Sequence, residues 1–197
     1  MNSVKIVLLG GRWGGKSSCG NTILNKEVFG IDEQTETCVM ETNKIAGIQV
    51  TVVDTPSWNW VPAEASSDEL KQELKRSVEM LGEGPHVFLL VYPLGAPFLK
   101  RHKIAVEEHL ALLGTDVWDR TMVLFSRGDW LGVVTIEQHI EGAKVEFKWL
   151  VDQCKNRYHV LNNKVKTDEM QVIELLEKIQ RMTQRKRKKS KVEPPLS

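Results

Sequence analysis

The sequence is short of cysteine, of long apolar runs and of net charge, and each shortage removes a class of protein. Its three cysteines, Cys19, Cys38 and Cys154, are odd in number and widely separated. No two stand at metal-ligand spacing, so neither a disulfide framework nor a zinc site is expected, and a reduced, cytoplasmic setting suits them. No apolar stretch approaches the roughly 20 residues that a membrane helix needs. The opening "SVKIVLLGG" is strand-like from the start, so no secretory leader is expected. The formal net charge is only +1, which gives the body no general attraction to nucleic acid. That balance hides an asymmetry. Residues 181–197 hold seven of the 27 Lys and Arg residues and one of the 26 acidic ones. The body is therefore mildly acidic and the end strongly basic.

What is present is an alternation of strands and helices in a length that suits one domain with a short appendage. "SVKIVLLGG" reads as a buried parallel strand and "KSSCGNTILNKEVF" as the helix after it. "CVMETNKIAGIQVTVVDTP" alternates on either side of Ala46-Gly47, the pattern of a hairpin. Ser66, Ser67 or Asp68 caps the helix of "DELKQELKRSVEML". "HVFLLVYPL" and "TMVLFSRGDWL" are further central strands, with the helix of "KIAVEEHLALLG" between them. Ile136, Ile140, Ala143, Phe147 and Leu150 recur at helical spacing, and "RYHVLNNK" is a last strand and loop. Val172, Leu175, Leu176, Ile179 and Met182 mark a closing helix. The order predicts a three-layer α/β sandwich whose sheet is mostly parallel with one antiparallel edge strand. The domain is read as residues 1–180, and 181–197 as a disordered basic tail containing prolines.

The pattern Gly-x-x-x-x-Gly-Lys-Ser is complete at Gly10, Gly15, Lys16 and Ser17, between a predicted strand and a predicted helix, as a phosphate-binding loop requires. Backbone N–H groups of Gly10 to Gly15, with the helix N-terminus, would surround a β-phosphate. Lys16 would bridge β- and γ-phosphate oxygens, Ser17 would ligate magnesium, and Ser18 would reach the α-phosphate. Within the loop stand Arg12 and Trp13, where Gly11 and Gly14 are the neighbours expected beside a phosphate. Arg12 is either a positive charge supplied in cis to the γ-phosphate or a side chain pointing outward. Trp13 shields the site or packs in an interface. In "TVVDTPS", Asp54 ends an apolar strand, where a carboxylate holds magnesium through water. Thr35 or Thr37 in "EQTETC" could supply a further hydroxyl to the metal and the γ-phosphate.

Asp129 in "SRGDW" lies just past an apolar strand. Its carboxylate could accept from N1–H and the 2-amino group of guanine, a donor pair that adenine lacks. Arg127 would lay its guanidinium plane along the base.

On these motifs the chain resembles the immunity-associated nucleotide-binding proteins, the GIMAP or IAN GTPases. The resemblance runs from about Val4 to Gln180 and rests on "GGRWGGKSSCGNTIL", "TETC", "VDTPS", "GEGPHVFLLVYPLG", "VLFSRGDWLG" and "CKNRYHVLNNK". It implies a P-loop G domain of the septin-related group that binds GTP or GDP with magnesium and dimerises through its nucleotide face. It favours Thr35 over Thr37 as the switch threonine. It also sets Asn162-Asn163 beside guanine, with one amide on O6, and makes His159 a strand residue.

Three departures bear on hydrolysis. Ser57 replaces the glycine whose N–H meets the γ-phosphate, and Ser keeps that N–H with less backbone freedom. Trp58, Asn59 and Trp60 stand where other GTPases carry a water-orienting glutamine. Ala96 stands where some relatives carry an arginine that reaches across a dimer, with Lys100 and Arg101 a turn later. The expected function is guanine-nucleotide binding with slow or dimer-dependent hydrolysis. The alternative is a hydrolysis-deficient module that holds GTP or GDP as a scaffold. The basic tail is either a solvated end or a contact to anionic membrane, and it is too little to predict nucleic-acid binding.

Overall fold

Strands that read as unbroken apolar runs need cover on both faces, and the chain supplies it. The computed structural model describes residues 1–32 and 34–190. Six strands form one sheet: β1 (Ser3–Leu9), β2 (Val39–Ile45), β3 (Ile48–Asp54), β4 (Val87–Pro93), β5 (Thr121–Ser126) and β6 (Tyr158–Val160). Their order is β2-β3-β1-β4-β5-β6. Only β2 against β3 is antiparallel, so the expected sheet with one antiparallel edge strand is the one formed. Ala46 and Gly47 turn the hairpin with φ of 48° and 82°, the left-handed pair that a tight hairpin with right-twisted strands requires.

Among the described residues six α-helices cover the sheet: α1 (Lys16–Leu24), α2 (Asp68–Glu79), α3 (Lys100–Ala111), α4 (Ile136–Glu141), α5 (Val145–Gln153) and α6 (Met170–Ser190). Alternation along β1 sends Val7 and Leu9 into one core with Leu74 of α2, Val106 of α3 and Leu150 of α5. Ile6 and Leu8 enter the other core with Ile23 of α1 and Leu175 and Ile179 of α6. This is the three-layer sandwich that the strand–helix alternation predicts.

Local chemistry moves several boundaries. Helix α1 stops at Leu24, before the "NKEVF" that the pattern had included, because Asn25 turns left-handed at φ 48°. The Asn21 carboxamide then folds that segment back. Its oxygen accepts from the N–H of Val28 (3.0 Å) and Phe29 (2.8 Å), and its nitrogen donates to the Phe29 carbonyl (2.9 Å). Of the three candidate caps for α2, Ser67 is the one whose hydroxyl accepts from the Leu70 N–H. The helical spacing after Thr135 belongs to two helices, α4 and α5, separated by residues 142–144. Phe147 and Leu150 are buried in the first core, and Ile140 and Ala143 pack partly buried against it.

The last helix runs past the expected boundary at residue 180. Helix α6 continues to Ser190, because Arg, Lys and Gln favour helix and no Gly or Pro interrupts them before Pro194. The rest of the tail, 191–197, lies outside the described residues.

His159 sits buried in β6. Its Nε2 donates to the Gln171 carbonyl (2.6 Å) and its Nδ1 accepts from the Lys178 ammonium (3.1 Å), so the ring is neutral. Burial, then the Lys178 charge, pushes its pKa down from 6.5 to about 4. A depressed histidine contributes stability that is present above the unfolded pKa and is lost as pH falls toward the folded one. Through this residue, stability should fall by roughly 2 kcal/mol between pH 7 and pH 5. His102 and His109 are shifted in the same direction by burial and add to the effect. Urea midpoints at the two pH values check it, and His159→Gln should flatten the dependence without abolishing it.

Candidate functional site

Chain direction alone gathers the site at one rim, because the loops after β1, β3, β5 and β6 all leave the C-terminal edge of the parallel strands. The loop after β1 needs its glycines. A Cβ at Gly10 would come within 3.0 Å of the Val91 carbonyl, and one at Gly14 within 3.3 Å of the Gly11 carbonyl. Gly15 is left-handed at φ 77°. The two bulky residues do not fill this cradle. Arg12 and Trp13 are exposed, Trp13 at 84 %, so neither side chain fills the backbone cradle, and both line the cleft beside it. Beside it lies a cleft of about 330 Å³, lined among others by Arg12, Lys16, Ser17, Ser18, Thr35 and Ser57.

Asp54, at the end of β3 and buried, organises this cleft. Its Oδ2 accepts from the Ser17 hydroxyl at 2.6 Å and lies 3.5 Å from Thr35 Oγ1. Its Oδ1 is 3.2 Å from Lys16 Nζ, which also donates to the Thr55 carbonyl. Thr37 is exposed, and Thr35 is the threonine that reaches the carboxylate. Two hydroxyls and one carboxylate make an all-oxygen donor set with only one fixed charge. That chemistry fits a small hard cation such as Mg²⁺ that shares its shell with water and phosphate oxygens. Among the described residues no cluster of three or more His, Cys, Asp or Glu side chains could hold a metal by itself.

The segment after Asp54 is bolted down. Trp58 donates its N–H to the Gly10 carbonyl (3.3 Å) and accepts from the Arg12 N–H (2.9 Å). Its indole is fully buried and stacks on His109 at 4.8 Å between centroids. Trp60 lies edge-on to His102 (4.8 Å) and Tyr92 (5.8 Å). A Cβ on Gly11 would strike the Trp60 ring at 2.4 Å, so this glycine makes room for an indole. Asn59 is exposed. Ala96 packs partly buried against the first core, while Lys100 and Arg101 are exposed at the start of α3 and do not line the cleft.

On the base side, Arg127 is left-handed at φ 57° and the Gly128 N–H donates to the Leu161 carbonyl (3.0 Å). This joins the loop after β5 to the one after β6. Asp129 Oδ2 is 2.6 Å from Lys164 Nζ, and that contact holds its carboxyl below the ordinary value, ionised and ready to accept. The asparagine pair divides. Asn162 Oδ1 accepts from the Lys164 N–H (3.0 Å), bracing its own turn. Asn163 turns onto α1, accepting from the Thr22 hydroxyl (2.8 Å) with its amide nitrogen 3.4 Å from Cys19 Sγ.

Two links escaped sequence reasoning. The buried Ser126 hydroxyl donates to the Gly14 carbonyl at 2.6 Å, which ties the base loop to the phosphate loop, and the Thr22–Asn163 bond ties α1 to the loop after β6. Neither bond has a signal in residue spacing, because the joined groups stand 112 and 141 residues apart. Ser126→Ala leaves a buried carbonyl without its donor. It should lower unfolding free energy by about 1–3 kcal/mol in denaturant titrations.

A phosphate loop, a hydroxyl–carboxylate cluster and two adjoining loops at the C-terminal rim define a P-loop G domain. The solved structures agree on the fold. Toc33 from Arabidopsis thaliana in complex with GDP and Mg²⁺ superposes with a TM-score of 0.58 at 19% identity, over 83% of this chain and 72% of that one. Another, of the chloroplast translocon components atToc33 and psToc159, for which dimerization is important for GTPase activity, superposes at 0.62 and 17% identity over 93% and 84%. The AIG1 family matches residues 4–194, and the chain belongs to it. GTPase IMAP family member 8 of Rattus norvegicus is 32% identical over 185 residues, 91% of this chain and 26% of the relative. Immune-associated nucleotide-binding protein 5 of Arabidopsis thaliana is 32% identical over 178 residues, 88% and 58% respectively. The chain thus spans a quarter to somewhat over half the length of these relatives.

Proposed function

We propose that this chain binds GTP and GDP with Mg²⁺ at the cleft beside Lys16, pairs with a second copy through the nucleotide face, and hydrolyses GTP slowly unless paired. The observation that carries the reading is the convergence of Ser17, Thr35 and Lys16 on the buried Asp54. Gly10 to Gly15 would surround the phosphates with N–H groups, and Lys16 would transfer its ammonium from Asp54 and Thr55 to β- and γ-phosphate oxygens. Ser17 and Thr35, with Asp54 through water, would hold Mg²⁺, which would supply charge neutralisation at those oxygens. Ser57 would offer its N–H to the γ-phosphate. Asp129 would take the guanine N1–H and amino group, Arg127 would cover the base, and Asn162 or Asn163 would meet O6. Exposed Trp13 and Ile31 beside the cleft support pairing on this face. The basic end supports peripheral contact of a cytoplasmic protein with anionic membrane.

A second reading, a nucleotide-holding scaffold with negligible turnover, draws on the segment after Asp54. It buries Trp58, packs Trp60 against α3 and presents no glutamine. GTP turnover per chain, measured across a wide range of protein concentrations with an ATP control, separates the two. A rate that climbs with concentration supports pairing, and a flat rate near zero with tight binding supports the scaffold. Arg12 lines the cleft and has no ion-pair partner among the described residues. Arg12→Ala should leave GDP affinity near wild type. If Arg12 supplies the missing charge in cis, turnover falls by about 10³-fold or more; unchanged turnover removes Arg12 from the mechanism.

A further inference from the structure

The opposite rim of the sheet carries a second concavity that the nucleotide site does not use. It lies at the N-terminal ends of β5 and β6, beside the second half of α6, and measures about 590 Å³. Helix α6 leads away from the nucleotide rim, so Arg185 stands roughly 22 Å along the axis from Met170. Lys155, Arg157, Lys178, Arg181 and Arg185 all line the concavity, against only two carboxylates, Asp119 and Glu137.

Arg157, Lys178 and Arg185 make no ion pair among the described residues, although Asp119 acts on Arg157 and Glu174 and Glu137 act on Lys178 at longer range. Arg157 donates to two neutral carbonyls, of Trp118 (2.6 Å) and Thr121 (3.1 Å). Lys178 donates to the Tyr158 carbonyl (3.2 Å) and to neutral His159 (3.1 Å). Among the described residues Arg181 pairs with the exposed Glu177, one turn away on its own helix at 3.1 Å. Arg185 has no ion-pair partner among the described residues. Lys155 is paired with Asp119 at 2.5 Å. Burial holds Arg157 and Lys178 below their ordinary pKa values, the mark of charges that an incoming anion would stabilise.

We propose that this concavity, built by Lys178, Arg181 and Arg185 of α6 facing Lys155 and Arg157, binds a compact polyphosphorylated group, the headgroup of a multiply phosphorylated inositol lipid. Guanidinium forks and ammoniums match phosphate oxygens, and a concave wall focuses their field. The excess of three positive charges suits more than one phosphate. The volume exceeds that of a single phosphate and suits a ring-sized ligand. In the sequence Arg185 is followed by Lys186, Arg187, Lys188 and Lys189, and a basic run gains about 1 kcal/mol per charge near an anionic bilayer. This is a shaped site, distinct from non-specific attraction of the basic end, and it does not depend on the nucleotide reading.

The test uses the full chain with GDP present. Binding is measured to vesicles containing a phosphatidylinositol bisphosphate, to phosphatidylserine vesicles of equal total charge, to soluble inositol trisphosphate and to single-stranded RNA. Expected are saturable binding to the first, weaker binding to the second, competition by the third and no comparable binding to RNA. Arg181→Gln combined with Arg185→Gln, both on the exposed face of α6, should lower affinity for the inositol lipid and for inositol trisphosphate at least tenfold, with unchanged melting temperature and GDP affinity. Lys188→Gln with Lys189→Gln should weaken vesicle binding alone. Equal binding to both lipids without competition, or unchanged inositol trisphosphate binding in the Arg181/Arg185 variant, overturns the site. Equal RNA binding sensitive to that same variant makes the ligand a nucleic acid and also overturns it.

Discussion

Asp129→Asn is expected to lower affinity for GDP and GTP by about 10²–10⁴-fold, the scale of two charge-assisted hydrogen bonds to the base. The carboxylate offers two acceptors to the two guanine donors. A carboxamide offers one acceptor and one donor, so it opposes the 2-amino group and instead matches xanthine, which has a carbonyl there. The variant should therefore gain affinity for xanthosine di- and triphosphate while its melting temperature stays near wild type, because Asp129 contacts the exposed Lys164 and no core residue. Fluorescent-nucleotide titration with the four ligands reads this directly. Loss of guanine binding without gain for xanthine would move the base elsewhere, and unchanged guanine binding would remove Asp129 from recognition.

Trp58→Ala is expected to be the most damaging single change to the fold, at about 3–5 kcal/mol. The indole is fully buried in the first core and stacked on His109, and truncation leaves a cavity under the segment that braces the phosphate loop. The indole Nε1 has no hydrogen-bond partner among the described residues. Trp58→Phe therefore loses no hydrogen bond and should cost far less than Trp58→Ala. Denaturant unfolding of the pair distinguishes loss of volume from loss of a bond. Similar costs for Phe and Ala would mean that the indole edge, and not bulk, supports the loop.

The sheet was legible because its strands carry their burial in their composition: unbroken apolar runs for β4 and β5, and alternation about Ala46-Gly47 for the hairpin. The phosphate loop was legible because its chemistry fixes both spacing and residue type. What was not legible depended on side chains acting at long range in sequence. Helix α1 ends early at left-handed Asn25 and the Asn21 carboxamide folds Val28 and Phe29 back, a side-chain solution that hydrophobic spacing does not encode. The step between α4 and α5 hides because apolar residues at helical spacing pack against the same core on both sides of it. Arg12 and Trp13 look obstructive in the sequence and are not, because neither side chain fills the backbone cradle. Trp58 and Trp60 read as a missing glutamine, whereas the structure uses them as the brace between phosphate loop and α3. Their bulk explains why Gly11 is a glycine, which the phosphate pattern alone does not require.

On the proposed reading, Asp129 selects the guanine base while the cleft beside Lys16 holds the phosphates with Mg²⁺ at an all-oxygen site. Calorimetric titration of the whole chain with GDP, GTP and ATP, each with Mg²⁺ and with a chelator, tests it most directly. One GDP or GTP per chain, bound more tightly with Mg²⁺, and no measurable ATP binding are expected. Equal affinity for ATP, or GTP affinity indifferent to Mg²⁺, would contradict it.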